Sequence, residues 1–380
     1  MRILIYNWRD IAHPNAGGAE VYTDRVASEW VKLGHEVTLF ASAVDGQPEV
    51  DVAVGGYRVV RRGSRHGVYR EARKFWVREG QGNFDLVVDE VNTRPFGCPR
   101  YVKEVPVIGL IHQVCREIWG YETRWPISWV GRYLLEPMWL SAYRRVPVIT
   151  VSESSWQSLG KYGLGLVEVV PQGMSLDAGG VRPEPSRADK ERDPTFVFVG
   201  RLTSGKRPEH AIRAFEQVRC SLPNAKLWVI GSGPKETELQ TTAAGKEVTF
   251  FGRVSDTEKR SLVARAHVLL VTSVREGWGL VVTEAASLGT MACTYDVPGL
   301  RDSVHAAGGM LAATDPTSLA EAALNAYRGV VAGTLTPKML GVLPWHDVAR
   351  RILAEADRMS RDAEAVRGTN SDPSCLGIGG

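Results

Sequence analysis

Arg201 and Lys206 stand five residues apart in the stretch GRLTSGKRPE (200–209), which follows an apolar run and precedes a helical pattern. Gly200 allows a tight turn there. Two cations at the start of a helix suit a diphosphate, because first-turn N–H groups and the helix dipole attract anions. The plainer alternative is a surface loop of solvated basic side chains. A second stretch, EGWGLVVTEA (276–285), sets Glu276 and Glu284 eight residues apart around Gly277 and Gly279. Bare glycine backbone lets a ligand approach closely. Two carboxylates flanking such a turn can bind hydroxyls from two sugars of one ligand. Against this stands a solvated Glu276 with a Glu284 favoured by the helix dipole. A third stretch, NAGGAE (15–20), puts Gly17 and Gly18 at a helix start, where their N–H groups can face a phosphate. It is neither G-x-G-x-x-G nor a Walker A loop, so it names no cofactor.

Other residues carry less. Gly231-Ser232-Gly233-Pro234 resembles a dinucleotide turn but lacks the third glycine. His112 follows an apolar run and so falls at a sheet edge; His13 lies in the first loop. A structural role is the commoner fate of such histidines. No His, Cys and Asp cluster has metal-ligand spacing, and no D-x-D occurs. A diphosphate would therefore be neutralised by Arg201 and Lys206 rather than by a metal.

Elements at regular intervals must position these residues. Arg2–Tyr6 reads as a buried strand, Ala19–Leu33 as a helix stopped by Gly34, and Glu36–Phe40 as the next strand. Apolar runs at 86–88, 107–111, 148–151 and 167–170 suit a parallel sheet buried on both faces. A Gly-, Pro- and charge-rich stretch (179–195) reads as a linker. A second series follows, with strands at 196–199, 226–230, 248–251, 268–271 and 291–294 and a helix at 279–288. Trp345–Met359 is a late amphipathic helix, and residues from about 363 read as a disordered tail. The pattern is two α/β domains of similar size. With 44% apolar and 23% charged residues and a net charge of +3, nothing global suggests nucleic-acid binding. Five scattered cysteines without C-x-x-C spacing fit a reducing, cytoplasmic setting. No apolar run reaches signal-peptide or membrane-spanning length.

Taken together, AGGAE (16–20), GRL-x-x-x-K-x-P (200–208), the E-x7-E element (276–284) and VVPQGM (169–174) resemble the retaining glycosyltransferases of family 4. The match extends through Gly231–Pro234, the strand end at 251–254 and YDVPGLRDSV (295–304), and is densest from 195 to 305. The relatives in view are bacterial enzymes acting on a polysaccharide, a glycolipid or a glycosylated natural product. The resemblance implies the GT-B fold: two Rossmann-like domains, each with a mainly parallel sheet, facing across a cleft. Residues 1–178 with a returning helix at 345–362 would bind the acceptor. Residues 179–344 would bind a nucleotide-sugar donor with a base such as UDP or GDP, and 363–380 would be the tail.

The same resemblance assigns Glu276, His112, Arg201 and Lys206 to catalysis. Arg201 and Lys206 would hold the diphosphate, with Gly17 and Gly18 approaching it from the other side. Glu284 would take the ribose hydroxyls. Glu276 and the backbone of Gly277, Trp278, Gly279 and Leu280 would contact the donor sugar and distal phosphate. The base would lie near Arg253 and Val254, and Gly231 would belong to the same donor site. His112 would stand beside the transferring sugar. No cofactor and no metal is expected, the nucleotide-sugar being a substrate. Gln172, Trp278 and Gln113 depart from the family's usual asparagine, phenylalanine and acidic residue.

The acceptor would be a saccharide or a glycosylated natural product. Eight of eleven tryptophans precede the linker, and flat aromatic faces suit sugar rings, although core packing accounts for most of them. Arg58–Arg78 with the adjoining Glu79 carries eight cations against two acids, Glu71 and Glu79. This is a solvated helix face, an anionic-acceptor site, or a peripheral contact with the inner face of the membrane. A nucleotide-sugar epimerase and a non-catalytic sugar-nucleotide-binding protein are the alternatives on the same fold.

Overall fold

The computed structural model describes residues 1–174, 190–340 and 342–369, with side chains as far as 361. The chain divides into two compact units. The first holds Met1–Cys115, Arg132–Gly173 and the chain from Leu343; the second holds Arg116–Gly131 and Met174–Val342.

The first unit is built on strands β1 (Arg2–Tyr6), β2 (Glu36–Ala41), β3 (Val50–Val52), β4 (Arg58–Arg61), β5 (Leu86–Glu90), β6 (Val107–Leu110), β7 (Val148–Thr150) and β8 (Val167–Val169). Their order is β3-β4-β2-β1-β5-β6-β7-β8. Every pairing is parallel except β3 with β4. Strands β3 and β4 escape the apolar-run criterion because β3 is short and largely exposed and β4 begins and ends on arginine. The helix Gly18–Lys32 buries Tyr22, Val26 and Trp30, and the helix Trp345–Thr369 lies in the same unit. Trp30 Nε1 donates to the carbonyl of Ala349 at 2.9 Å, tying these two helices together. The late helix does not stop at Met359. Residues 361–367 include Arg361, Ala363, Glu364, Ala365 and Arg367, all good helix formers, and the helix runs on to Thr369, through the first part of the expected tail. Residues 370–380 lie outside the described residues, as does most of the expected linker (175–189).

The second unit is a six-stranded, all-parallel sheet: β9 (Thr195–Val199), β10 (Lys226–Ile230), β11 (Val248–Gly252), β12 (Val268–Val271), β13 (Met291–Tyr295) and β14 (Met310–Ala312), in the order β11-β10-β9-β12-β13-β14. This is the doubly wound 3-2-1-4-5-6 arrangement. The central strands are Val-, Leu- and Phe-rich and buried along their length, as a sheet covered on both faces requires. The segment Arg116–Gly131, expected with the N-terminal domain, goes with this unit. Arg275 Nε donates to Glu117 Oε2 at 2.8 Å, and the guanidinium is almost wholly buried. Among the described residues Cys98, Cys115, Cys220 and Cys293 are free thiols, and no helix is long and apolar enough to cross a membrane.

Candidate functional site

In a doubly wound sheet the loops of neighbouring strands part at the point where the order reverses, leaving a crevice at the carboxyl ends. In the second unit that point lies between β9 and β12. The loop after β9 carries residues 200–207, and the chain after β12 carries 272–279. The two are clamped together. Val274 N–H donates to the Gly205 carbonyl at 2.9 Å. Thr272 Oγ1 lies 2.7 and 2.8 Å from the carbonyls of Lys206 and Arg207. Arg207 returns two bonds, Nε to Thr272 O at 2.8 Å and Nη2 to Ser273 O at 3.1 Å.

This clamp brings Lys206 and Glu276 together, seventy residues apart in sequence. Glu276 Oε1 accepts from Lys206 Nζ and from Ser273 Oγ, the latter at 2.6 Å. The ion pair is partly buried, with 28% of the lysine side chain and 16% of the glutamate exposed. Glu276 is backed from behind by Gly299, which has φ +83°; a Cβ there would stand 2.1 Å from the Glu276 carbonyl oxygen. Gly277 and Trp278 are buried, and Gly279 caps the helix Leu280–Ser287. The 277–279 backbone therefore leads directly into the N-terminal turn of that helix, the end at which unpaired N–H groups favour anions. Trp278 Nε1 is buried without a protein hydrogen-bond partner among the described residues.

The other residues that the resemblance assigns to the donor lie on further loops and on the helix Leu280–Ser287 of this unit. Arg201 is exposed and has no ion-pair partner among the described residues, in contrast to Lys206, whose charge Glu276 already balances. Gly231 follows β10 and donates to the Gly252 carbonyl at 2.8 Å, which puts it next to the β11 end where exposed Arg253 and half-buried Val254 follow. Glu284, on the helix, is half exposed, 3.5 Å from Lys259 Nζ. Burial alone would lower the Lys259 pKa, but Glu284 and Asp256 carry it above its ordinary value.

In the first unit, the helix start at Gly17 departs from the expected bare amides. Gly17 N–H donates to Glu20 Oε2 at 2.6 Å, and the buried Glu20 is held by Arg9 Nε at 2.9 Å. A capping glutamate thus satisfies one of the helix's unpaired donors. Gly18 N–H has no protein acceptor among the described residues, so of the two glycines it keeps the amide available to an anion.

His112 follows β6 and is buried. Its ring packs edge-on against Tyr22 from that same helix, with centroids 4.8 Å apart. Nε2 lies 3.2 Å from Glu90 Oε1, and Glu90 also accepts from Thr23 Oγ1. Burial raises the Glu90 pKa, opposed by its bond to His112. With Nε2 on this carboxyl group, Nδ1 is the ring nitrogen left buried and without a protein partner among the described residues. Glu90→Gln keeps the shape and removes the charge. It is expected to lower kcat about tenfold or more while donor KM changes little, since bonds to charged groups are worth roughly 1.5–3 kcal/mol. Unchanged kcat and pH profile in steady-state kinetics would show that His112 is not held through Glu90.

The basic stretch 58–78 is less uniform than its composition. Arg61 is buried in ion pairs to Asp10 (2.6 Å) and Asp51 (3.2 Å), Arg62 pairs with Glu49 (2.6 Å) and Glu79 (2.5 Å), and Lys74 with Glu71 (2.7 Å). Arg58, Arg65, Arg70, Arg73 and Arg78 are exposed. Among the early tryptophans, Trp30 and Trp76 are core, while Trp125 is 80% exposed.

Sequence reasoning missed Ser273, Thr272, Arg207, Glu90, Thr23 and Glu20. Only Glu90 left a usable signal, as an acid at the end of an apolar strand. The others act through partners distant in sequence or through a backbone conformation, such as φ +47° at Arg207.

Residues 16–178 match the family described as Glycosyltransferase Family 4, and residues 184–328 that described as Glycosyl transferases group 1. The chain is 24% identical to a phosphatidylinositol N-acetylglucosaminyltransferase subunit of Arabidopsis thaliana, over 94% of this chain and 82% of the relative. It is also 24% identical to a GDP-mannose-dependent alpha-(1-6)-phosphatidylinositol dimannoside mannosyltransferase of Mycobacterium tuberculosis, over 81% of this chain and 84% of that one. A solved structure, the sucrose-phosphate synthase of Thermosynechococcus elongatus, superposes with a TM-score of 0.70 at 19% identity, covering 96% of this chain and 99% of its own.

Proposed function

The chain belongs to the family-4 glycosyltransferases of GT-B fold, and on that footing we propose that it transfers a sugar, with retention, from a nucleoside diphosphate donor to a hydroxyl of a saccharide, glycolipid or glycosylated natural-product acceptor. The second unit takes the donor and the first unit the acceptor. The observation that carries this is the Lys206–Glu276 pair at the β9/β12 switch point, with Arg201 on the Lys206 loop and the helix that starts at Leu280 following the Glu276 loop. A cation, an acid and a helix N-terminus at one sheet edge are what a sugar joined to a diphosphate presents a need for.

In the proposed reaction the anomeric carbon loses its diphosphate through an oxocarbenium-like transition state. Negative charge grows on the departing phosphate. Arg201 and Lys206 stabilise that charge in place of a metal, and the amides at the helix start at Leu280 add fixed dipoles. As the phosphate draws Lys206, the Glu276 carboxylate becomes available to the donor-sugar hydroxyls. Glu284 accepts from the ribose, Arg253 and Val254 border the base, and His112 stands at the transferring sugar.

The proposed site of action is cytoplasmic. A peripheral contact of the first unit with the inner membrane face is supported by its exposed arginines 70, 73 and 78 and by the exposed apolar side chain of Leu134.

Calorimetric titration with UDP, GDP, ADP and dTDP tests the donor site. One nucleotide is expected to bind saturably and to lose about tenfold or more in affinity in Glu284→Ala, the worth of charge-assisted bonds to two hydroxyls. Binding by none of the four, or equal binding by the variant, would remove Glu284 from the donor site.

A further inference from the structure

Among the described residues, Arg207 and Glu247 are the two with positive φ that are not glycine. Arg207 is the one that adjoins Lys206. Its φ of +47° and ψ of +51° lie in the left-handed region, uncommon for a long side chain, and it stands as the N-cap of the helix Pro208–Ser221. The proline that follows pushes its predecessor toward extended backbone. A conformation opposed on both counts persists only where the surroundings over-determine it, and such places gather at functional sites.

The surroundings of Arg207 do this from three sides. The guanidinium spans two successive carbonyls after β12, Nε on Thr272 and Nη2 on Ser273. Thr272 Oγ1 lies against the Arg207 carbonyl itself, at 2.8 Å. The guanidinium carbon sits over the ring of Tyr295, 4.8 Å from its centroid. Tyr295 is buried at the end of β13, and its hydroxyl lies 2.9 Å from Nδ1 of His210, in the first turn of the helix that Arg207 caps. A planar fork seated on a ring meets two carbonyls with little further loss of freedom, which a lysine cannot match.

These contacts bear on both members of the Lys206–Glu276 pair. Lys206 is the covalent neighbour of Arg207, so its backbone moves when Arg207 moves. Ser273, whose carbonyl takes Nη2, gives its own hydroxyl to Glu276 Oε1 at 2.6 Å. One side chain therefore ties down the cation's backbone and the residue that orients the acid. Glycine at 207 would relieve the backbone and lose the fork.

We propose that Arg207 is a positioning residue for sugar transfer, holding Lys206 and Glu276 at the spacing at which they meet the donor. The inference rests on the second unit being the donor side.

The test uses the full chain with three substitutions. Arg207→Gly removes the fork and the strain, Arg207→Ala removes the fork alone, and Arg207→Lys keeps a charge but at most one of the two bonds. With the preferred nucleotide-sugar, Arg207→Gly is expected to lose about tenfold or more in kcat with a smaller change in donor KM, since misplacement of about 1 Å can cost on the order of 10²-fold. Its Tm should stay close to wild type and above that of Arg207→Ala, and Arg207→Lys should recover part of the lost kcat. A residue that only held the fold would lower Tm and leave kcat of the folded enzyme unchanged. A second measurement needs no donor. The Tm shifts of Lys206→Met, Glu276→Gln and the double variant give the coupling within the pair, and this coupling is expected to fall by about half or more in an Arg207→Gly background. Coupling that survives Arg207→Gly, or full kcat in that variant, would overturn the proposal. Failure of the wild type to bind any of the four nucleoside diphosphates would instead remove the donor site, and the coupling would still decide the role of Arg207.

Discussion

Lys206→Met is expected to lower kcat/KM by about 10²–10³-fold, the usual cost of removing one preorganised group that meets charge developing in a transition state. The expectation follows from where the ammonium sits. Its loop is pinned to the neighbouring strand end through Thr272 and Arg207, so only the flexible side chain has to turn from Glu276 when the leaving phosphate gains charge. Stability should change much less. Breaking a buried ion pair by removing one partner costs about 3–5 kcal/mol. This pair is partly exposed and Glu276 keeps its bond from Ser273, so roughly 1–2 kcal/mol is expected. A double-mutant cycle with Glu276→Gln separates the two effects. The double variant should recover stability relative to Lys206→Met and recover none of the turnover. Full turnover by Lys206→Met with its preferred donor would show that the lysine serves the fold alone.

Gly231→Ala should be severely damaging in the second unit although it leaves every charged group in place. Gly231 has φ +129°, and an added Cβ would lie 2.0 Å from the carbonyl oxygen of Gly200. Both partners are backbone, so no side chain can swing aside. Both are also tied down: Gly200 N–H donates to Ile230 O at 3.0 Å and Gly231 N–H to Gly252 O at 2.8 Å. The β9 and β10 ends must part by about 1 Å to restore ordinary contact, a shift at the scale where overpacking costs ~3 kcal/mol or more. Thermal denaturation should show a Tm lowered by roughly 6–12 °C, at 2–4 °C per kcal/mol for a unit of this size. The shift is delivered to Arg201, the next residue, and misplacement of about 1 Å can cost on the order of 10²-fold in rate. Gly245→Ala is the matched control. Its φ is +75°, but nothing lies within 4 Å of the added Cβ, so only the backbone strain of about 1–2 kcal/mol remains. Equal losses in the two variants would mean that strain rather than collision is responsible.

Much of this was legible before any coordinates. The strands Arg2–Tyr6, Lys226–Ile230 and Val268–Val271 fall where their apolar runs begin and end. Such runs are unmistakable because strands covered on both faces have no polar alternation to blur them. The half-exposed Val50–Val52 and the arginine-bounded Arg58–Arg61 lack that pattern and were not seen. The late helix was found, but its end was misjudged. Ala and Arg continue a helix as readily as they fill a polar tail, and what separates the two is the surroundings. Arg116–Gly131 reads from sequence as continuous with the first domain but goes with the second unit, where Glu117 pairs with the buried Arg275.

The candidate site divides in the same way. The sequence by itself determined the kinds of group available and the loops that carry them: Arg201 and Lys206 after one strand, Glu276 and its glycines after another, His112 after a third. Those assignments depend only on local periodicity, which short stretches of chain encode. Tertiary structure decided the pairings. It set Lys206 on Glu276, gave the Gly17 amide to Glu20, put Glu90 behind His112, and laid Arg207 on Tyr295. Each of these joins atoms from different loops. Their meeting is fixed by sheet order and by the requirement that buried polar groups find partners, neither of which any one loop records.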